Sequence, residues 1–371
     1  MSTRSYSSRP VLTVNLKSVT HNYNYLSGLA KSAKIGACVK ADGYGLGVER
    51  IGRTLYGAGC RIFFVAHAGE GKILRAAIGA KASIYVFSGP TPQDTAIFFG
   101  AKLKPVLNSL TQARDWVKAI DGVNHPPRAA LHFDTGMNRL GIPSDETPVF
   151  TKDKELQKAL DIDLIMSHIA CSGMKGHALN KTQLDRFRKT AAQMPMAPLS
   201  LANTGGVYLG KPYHFQIVRV GIGLYGGKVT TDHASEGVRP VVELHAPILQ
   251  IKAVKKGESL GYDASFTAQK DMKIAIASAG YADGLPINLS GSDKRIVTSA
   301  RLKDKRIPVI GKISMDYTIL DITDYKGFVE LGEKAVFFGE DLENQARLAR
   351  TINYEVLTHL GARCRRVYVN E

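Results

Sequence analysis

Between residue 12 and about residue 220, short β-branched and aromatic runs alternate with longer stretches of helical period. The runs lie at 35–40 (IGACVK), 62–66 (IFFVA), 83–88 (SIYVFS), 103–107 (LKPVL), 128–133 (RAALHF), 162–168 (IDLIMSH), 198–202 (PLSLA) and 215–219 (FQIVR). Such alternation is the pattern of repeated βα units that build a parallel sheet. The intervening helices are clearest at 17–33, at 109–120 with Trp116, and at 180–193, rich in Lys, Arg and Gln. Eight units predict a closed (βα)8 barrel of the TIM type, although an open doubly wound sheet gives the same local signal.

After about residue 235 the texture changes. Short apolar runs at 246–254, 273–279, 294–299, 306–310, 317–321 and 334–339 are separated by Gly, Asp and Lys turns, with one helix near 342–351. That spacing predicts a smaller, mainly antiparallel β domain. The chain is therefore divided into a barrel over 12–235 and a β domain over 236–371, which the segment 1–11 is a candidate to join. The loop TTDHASEG marks the border.

A chain of 371 residues with 44% apolar content suits two such domains. No run of 18 or more apolar residues occurs, and the first ten residues lack the apolar stretch of a secretory signal, so a soluble, cytoplasmic protein is expected. Cys38, Cys60, Cys171 and Cys364 are scattered without a C-x-x-C pair, which points to free thiols and to neither zinc nor a disulfide framework. The net charge of +16 is spread through every segment, not gathered in a stripe, and no nucleic-acid-binding motif accompanies it. A phosphate-bearing ligand needs only a few of these charges.

In a βα barrel the working residues stand at the carboxyl ends of the strands. Lys40 closes the first run, inside VKADGYGLG. A buried amine there has a lowered pKa and is available for Schiff-base chemistry, whereas a snorkelling amine is merely a solvated strand end. The fifth run leads into DTGMNRLG, with Asp134 and Arg139. Arg139 can grip a carboxylate or pair with Asp134 to order the loop. His168 ends the sixth run, as a titrating group or as a satisfied core histidine. Asn203, Thr204, Gly205 and Gly206 follow the seventh, and Arg219, Gly221 and Ile222 follow the eighth. Small residues, a hydroxyl and backbone amides in the last two loops suit the place where such barrels hold a phosphate.

Taken together, VKADGYG, DTGMNRLG, the Asn-Thr pair, RVGIGLYG, GYADG, GKISMD and TINYE resemble, in order and spacing, the motifs of alanine racemases, and they span residues 38 to 357. The resemblance implies a pyridoxal 5'-phosphate enzyme that interconverts L- and D-alanine by a two-base mechanism and supplies D-alanine for peptidoglycan. It implies a homodimer, each active site completed by the partner's β domain. Lys40 would carry the cofactor. Tyr44, Asn203, Thr204, Gly221, Ile222 and Tyr354 would surround the cofactor, most of them at its phosphate, and Arg219 would donate to the pyridine nitrogen. Arg139 and the backbone near Met315 would take the substrate carboxylate, Tyr281 would line the channel, and Tyr262 would be the second base, assisted by His168.

Three departures from the family pattern stand out. His132 occupies the position where many members carry a carbamylated lysine that steadies the substrate arginine. Lys312 replaces the arginine before ISMD, and the segment after His168 lacks an acidic residue. Related readings are a racemase of another small amino acid such as serine, a barrel-type decarboxylase of basic amino acids, whose pyridine partner is usually a glutamate where Arg219 stands, and a non-catalytic cofactor carrier.

Overall fold

A computed structural model of the chain describes residues 7–229 and 237–370. It separates into two compact units: Val19–Arg239, and the chain N-terminal to Val19 together with Pro240 onward. The first strand, β1 (Val11–Asn15), is not among the runs singled out in the sequence, where residues from 12 on are assigned to the barrel domain. It lies instead in the other unit, where Val11–Val14 pair antiparallel with residues 242–245 and residues 11–15 pair parallel with residues 365–369. The domain border placed at 235/236 falls outside the described residues.

The Val19–Arg239 unit is built on eight parallel strands: β2 (Lys34–Cys38), β3 (Ile62–Val65), β4 (Ser83–Val86), β5 (Lys104–Leu107), β6 (Ala129–His132), β7 (Ile162–Met166), β8 (Leu199–Ser200) and β9 (Ile217–Val220). Each falls on one of the eight apolar runs. The order is β8-β7-β6-β5-β4-β3-β2-β9, and a bridge from Asn203 to Arg219 joins the two ends, so the sheet is a closed barrel and not an open one. Parallel strands covered on both faces need apolar side chains at nearly every position. Accordingly β6 is buried throughout, and so is β7. Near the amino ends of the strands a polar cluster fills the interior: Tyr85 Oη donates to Asp163 Oδ1 at 2.9 Å, and Lys104 Nζ pairs with the other carboxylate oxygen.

The remaining unit is organised by β10 (Val242–Val254), a 13-residue strand that pairs with two further strands besides β1. Residues 245–247 pair with β17 (Lys334–Val336) and residues 248–254 with β13 (Met272–Ala277), the latter ladder being irregular between Ile248 and Gln250. With β14 (Ser299–Leu302), β15 (Lys305–Ile310) and β16 (Thr318–Asp321), the antiparallel pairing runs in a ring, β13-β16-β15-β14-β17-β10 and back to β13. A two-strand ribbon, β11 (Ser259–Leu260) with β12 (Phe266–Thr267), stands apart, and β18 (Arg365–Val369) borders β1. The run 294–299 is not a strand. The strand begins at Ser299, and the residues before it form a tight turn bridged from Ser292 to Arg295. All four cysteines are free thiols, three of them buried. No helix among the described residues is long and apolar enough to cross a membrane.

Candidate active site

Lys40 stands two residues past the end of β2 and opens a turn of unusual hand. Ala41, Asp42, Gly43 and Tyr44 have φ of 53°, 53°, 62° and 56°. Left-handed backbone costs a non-glycine residue roughly 1–2 kcal/mol, so a run of this kind persists only where its surroundings hold it. Here Asp42 Oδ1 accepts from Val48 N at 2.8 Å, and Gly45 N donates to Ala41 O at 2.7 Å. The turn swings Tyr44 inward, where its ring stacks on that of Tyr225 with centroids 4.4 Å apart.

Arg219, in β9 beside β2, is 2% exposed. Its guanidinium has five N–H donors. Nη1 donates to Ser200 O at 2.9 Å and Ser200 Oγ at 2.7 Å, and Nη2 donates to Ser167 O and to His168 Nδ1, the latter at 3.2 Å. Nε is buried and, among the described residues, has no acceptor. Burial, with the nearby charge of Arg139 adding to it, lowers the Arg219 pKa to about 10, which leaves the group cationic at neutral pH.

Burial and that cation together set the state of His168. Burial first, then the charges of Arg219 and Arg139, push its pKa well below 6.5, so the imidazole is neutral. Because a guanidinium can only donate, Nδ1 is the acceptor and the single ring proton sits on Nε2. Asn203 Nδ2 lies 3.4 Å from Nε2, but its amide is turned by Oδ1 accepting from Gly206 N at 2.9 Å, so it faces Nε2–H as another donor. His168 Nε2–H is thus available to an outside acceptor.

At the ends of β8 and β9, Thr204 Oγ1 accepts from Gly221 N at 2.9 Å. A Cβ on Gly221 would come within 2.3 Å of Tyr44 Oη, so only glycine lets this backbone approach the tyrosine. Thr204 and Ile222 begin two short helices, Thr204–Tyr208 and Ile222–Tyr225, whose first amides have no partner within their own helix. Tyr44, Asn203, Thr204, Arg219, Gly221 and Ile222 are thereby brought to one end of the barrel, as the sequence suggests.

Arg139 lies on the exposed loop after β6, and the salt bridge to Asp134 considered from the sequence does not form. Asp134 Oδ1 instead accepts from the amides of Gly136 and Met137 at 2.8 and 2.9 Å. His132, at the end of β6, is buried, and its Nδ1–H donates to Asn108 Oδ1 at 2.8 Å. The Asn108 amide is fixed in turn, because its Nδ2 donates to Phe87 O and Val106 O, both at 2.9 Å. Burial, reinforced by Arg219, lowers the His132 pKa to about 3, so the imidazole is neutral with Nδ1 protonated. Asn108, Ser167 and Ser200 escape the sequence reading, yet each stands at a strand's carboxyl end and a complete survey of those ends finds them.

The β unit gathers a separate set. Tyr262, Tyr281 and Met315 are 69%, 44% and 52% exposed, unusual for side chains this large. Their loops are tied together: Tyr281 N donates to Ser314 O at 3.0 Å and Ala282 N to Met315 O at 3.2 Å. Arg363 clamps both, with Nε and Nη2 each 2.8 Å from the two oxygens of buried Asp283 and Nη1 2.7 Å from Asp316. Lys312 pairs with Asp263, the residue after Tyr262, which itself has φ 58°. Tyr354 lies in the helix Asn353–Thr358, beyond the single helix expected near 342–351 and not expected from the sequence.

Sequence comparison finds the family described as alanine racemase, N-terminal domain, over residues 14–229 and alanine racemase, C-terminal domain, over residues 241–368. The chain is 39% identical over 361 residues to the catabolic alanine racemase of Agrobacterium fabrum (96% of this chain, 92% of the relative). It is 37% identical over 374 residues to the alanine racemase of Brucella abortus (97% and 93%). Among solved structures, it resembles alanine racemase from Bartonella henselae with covalently bound pyridoxal phosphate, with a TM-score of 0.92, 32% identity and coverage of 98% and 100%. The biosynthetic alanine racemase of Pseudomonas aeruginosa gives a TM-score of 0.89 at 28% identity, covering 98% and 100%.

Proposed function

This chain belongs to the alanine racemase family, and we propose that it interconverts L- and D-alanine with pyridoxal 5'-phosphate held on Lys40. The observation that carries the assignment is the unsatisfied Nε–H of Arg219. It is a buried donor on the strand next to the one that leads into Lys40, and a pyridine nitrogen is the neutral acceptor it lacks. Tyr44, Asn203, Thr204, Gly221 and Ile222 are the barrel residues that would hold the phosphate end, with Tyr354 added from the β unit. The residues present therefore fit the group.

Once the substrate amine has taken the place of Lys40 Nζ on it, the cofactor would supply a ring that draws electrons from the substrate Cα–H bond, and Lys40 Nζ would be left as a free amine. The protein must then place one proton carrier on each face of that carbon. Lys40 Nζ serves one face. Tyr262 Oη of a second copy of the chain serves the other, which makes the working form a homodimer. A phenol has a reference pKa of about 10 and needs help to act as a base at neutral pH. His168 Nε2–H supplies it by donating to the phenolate. Arg219 keeps its own proton, so it would donate a hydrogen bond to the ring nitrogen without protonating it. Arg139 takes the substrate carboxylate with the backbone near Met315, and Tyr281 lines the approach.

Purified protein supplied with the vitamin should convert L-alanine to D-alanine, and hydride reduction followed by peptide mass spectrometry should place the cofactor on Lys40. An adduct elsewhere, or a yellow protein without activity, refutes the assignment. We further propose that the D-alanine feeds peptidoglycan; the gene should then restore growth, without added D-alanine, to a bacterium lacking its own racemase.

A further inference from the structure

Glu70, in the first turn of the helix Ala68–Ile78 that follows β3, uses its two oxygens on two different loops. Oε1 accepts from Ala41 N at 2.7 Å, and Oε2 accepts from Ala66 N at 2.8 Å. The Ala41 amide belongs to the peptide that immediately follows Lys40. On the other side, Val39 N donates to Phe64 O at 2.9 Å. Lys40 is therefore suspended between two anchored peptides, one fixed to the backbone of β3 and one to this carboxylate.

The left-handed residues begin directly after the suspended peptide, so the conformation of Lys40 depends on that peptide keeping its orientation. Within the turn, Asp42 closes the far end against Val48. At the near end Glu70 provides the only side-chain acceptor for Ala41 N among the described residues. An anionic acceptor forms stronger bonds to backbone amides than a neutral one and adds the geometric demand of bridging two loops.

We propose that Glu70 is a positioning residue for Lys40, holding the left-handed turn that sets where the ε-amine stands at the barrel mouth. It acts through the backbone and touches neither cofactor nor substrate, and the proposal rests on Lys40 being the amine that carries the cofactor.

The test uses Glu70→Ala, which removes both acceptors, and Glu70→Gln, which keeps one. In the cofactor-free protein, hydrogen exchange of the peptide covering residues 40–47 should accelerate about tenfold or more in Glu70→Ala. In the loaded enzyme kcat should fall about tenfold, with KM for alanine nearly unchanged, because a displaced amine impairs proton transfer more than carboxylate binding. The glutamine variant should show both effects to a smaller degree, and it serves if the alanine variant does not fold. Hydride trapping on the wild-type chain is run alongside. If it marks Lys40 while a folded Glu70 variant keeps wild-type exchange and kcat, the proposal is overturned and the cofactor assignment stands. A lower melting temperature with unchanged kcat overturns it in the same way. If trapping marks another residue, the assignment fails and takes the proposal with it.

Discussion

Acid should weaken the barrel unit through His132 in a way that one substitution removes. In the unfolded chain this histidine titrates near 6.5; in the folded barrel its pKa is about 3, held down by burial and by Arg219. Between those values the unfolded state binds the extra proton, so stability rises with pH and is lost as pH falls below the unfolded value. At about pH 5 the unfolded imidazole is almost wholly protonated, and the loss relative to about pH 7.5 comes to ~2 kcal/mol. His168 is lowered in the same direction and contributes its own loss, so the effect of His132 must be isolated by difference. His132→Asn does this, since it cannot titrate and can still donate toward Asn108. The single tryptophan, Trp116, is 1% exposed in the barrel unit and packs edge-on against Phe98, so its fluorescence during urea unfolding reports that unit alone. The stability difference between variant and wild type should move by about 2 kcal/mol in the variant's favour between about pH 7.5 and about pH 5. Parallel losses in the two proteins over that interval would refute the buried neutral imidazole.

Arg363→Ala should leave the Asp283 carboxylate buried and short of its bidentate partner, destabilising the β unit by about 2 kcal/mol and raising KM for alanine as the Tyr281 and Met315 loops separate; chemical denaturation and steady-state kinetics check the two parts. Gly221→Ala forces Tyr44 aside, because the new methyl would lie 2.3 Å from its hydroxyl, and should weaken cofactor affinity about tenfold or more, read by titration of the cofactor-free protein. Asp163→Ala strands Lys104 inside the barrel at the end away from the chemistry; it should cost about 3 kcal/mol in urea unfolding and leave kcat of the folded enzyme unchanged.

The parallel strands were legible because burial on both faces demands continuous apolar runs, and every one of the eight runs became a strand. In the β unit the signal is weaker. Ser299–Leu302 carries Ser and Arg on its half-buried face, so the β-branched Ile296, Val297 and Thr298 just before it give the stronger strand signal. VLTVN at Val11–Asn15 is not among the runs singled out in the sequence, and nothing in its own residues says which sheet receives it. The site divides along the same line. Lys40, His168, Thr204 and Arg219 are visible as strand ends and motif positions. The complete burial of Arg219, the tautomers of His168 and His132, and the grip of Glu70 on a peptide 29 residues earlier come from neighbours that only folding assembles.

The pairing of β1 imposes an order of events on synthesis. This strand leaves the ribosome before the barrel, yet the residues that flank it, 242–245 on one side and 365–369 on the other, are made only after the whole barrel. Until then its two edges are bare, and contacts of such long sequence separation form slowly. Nascent chains halted just short of β18 should therefore be the forms most exposed to chaperone capture, whereas the barrel strands, whose partners mostly follow one another in sequence, can pair as they emerge.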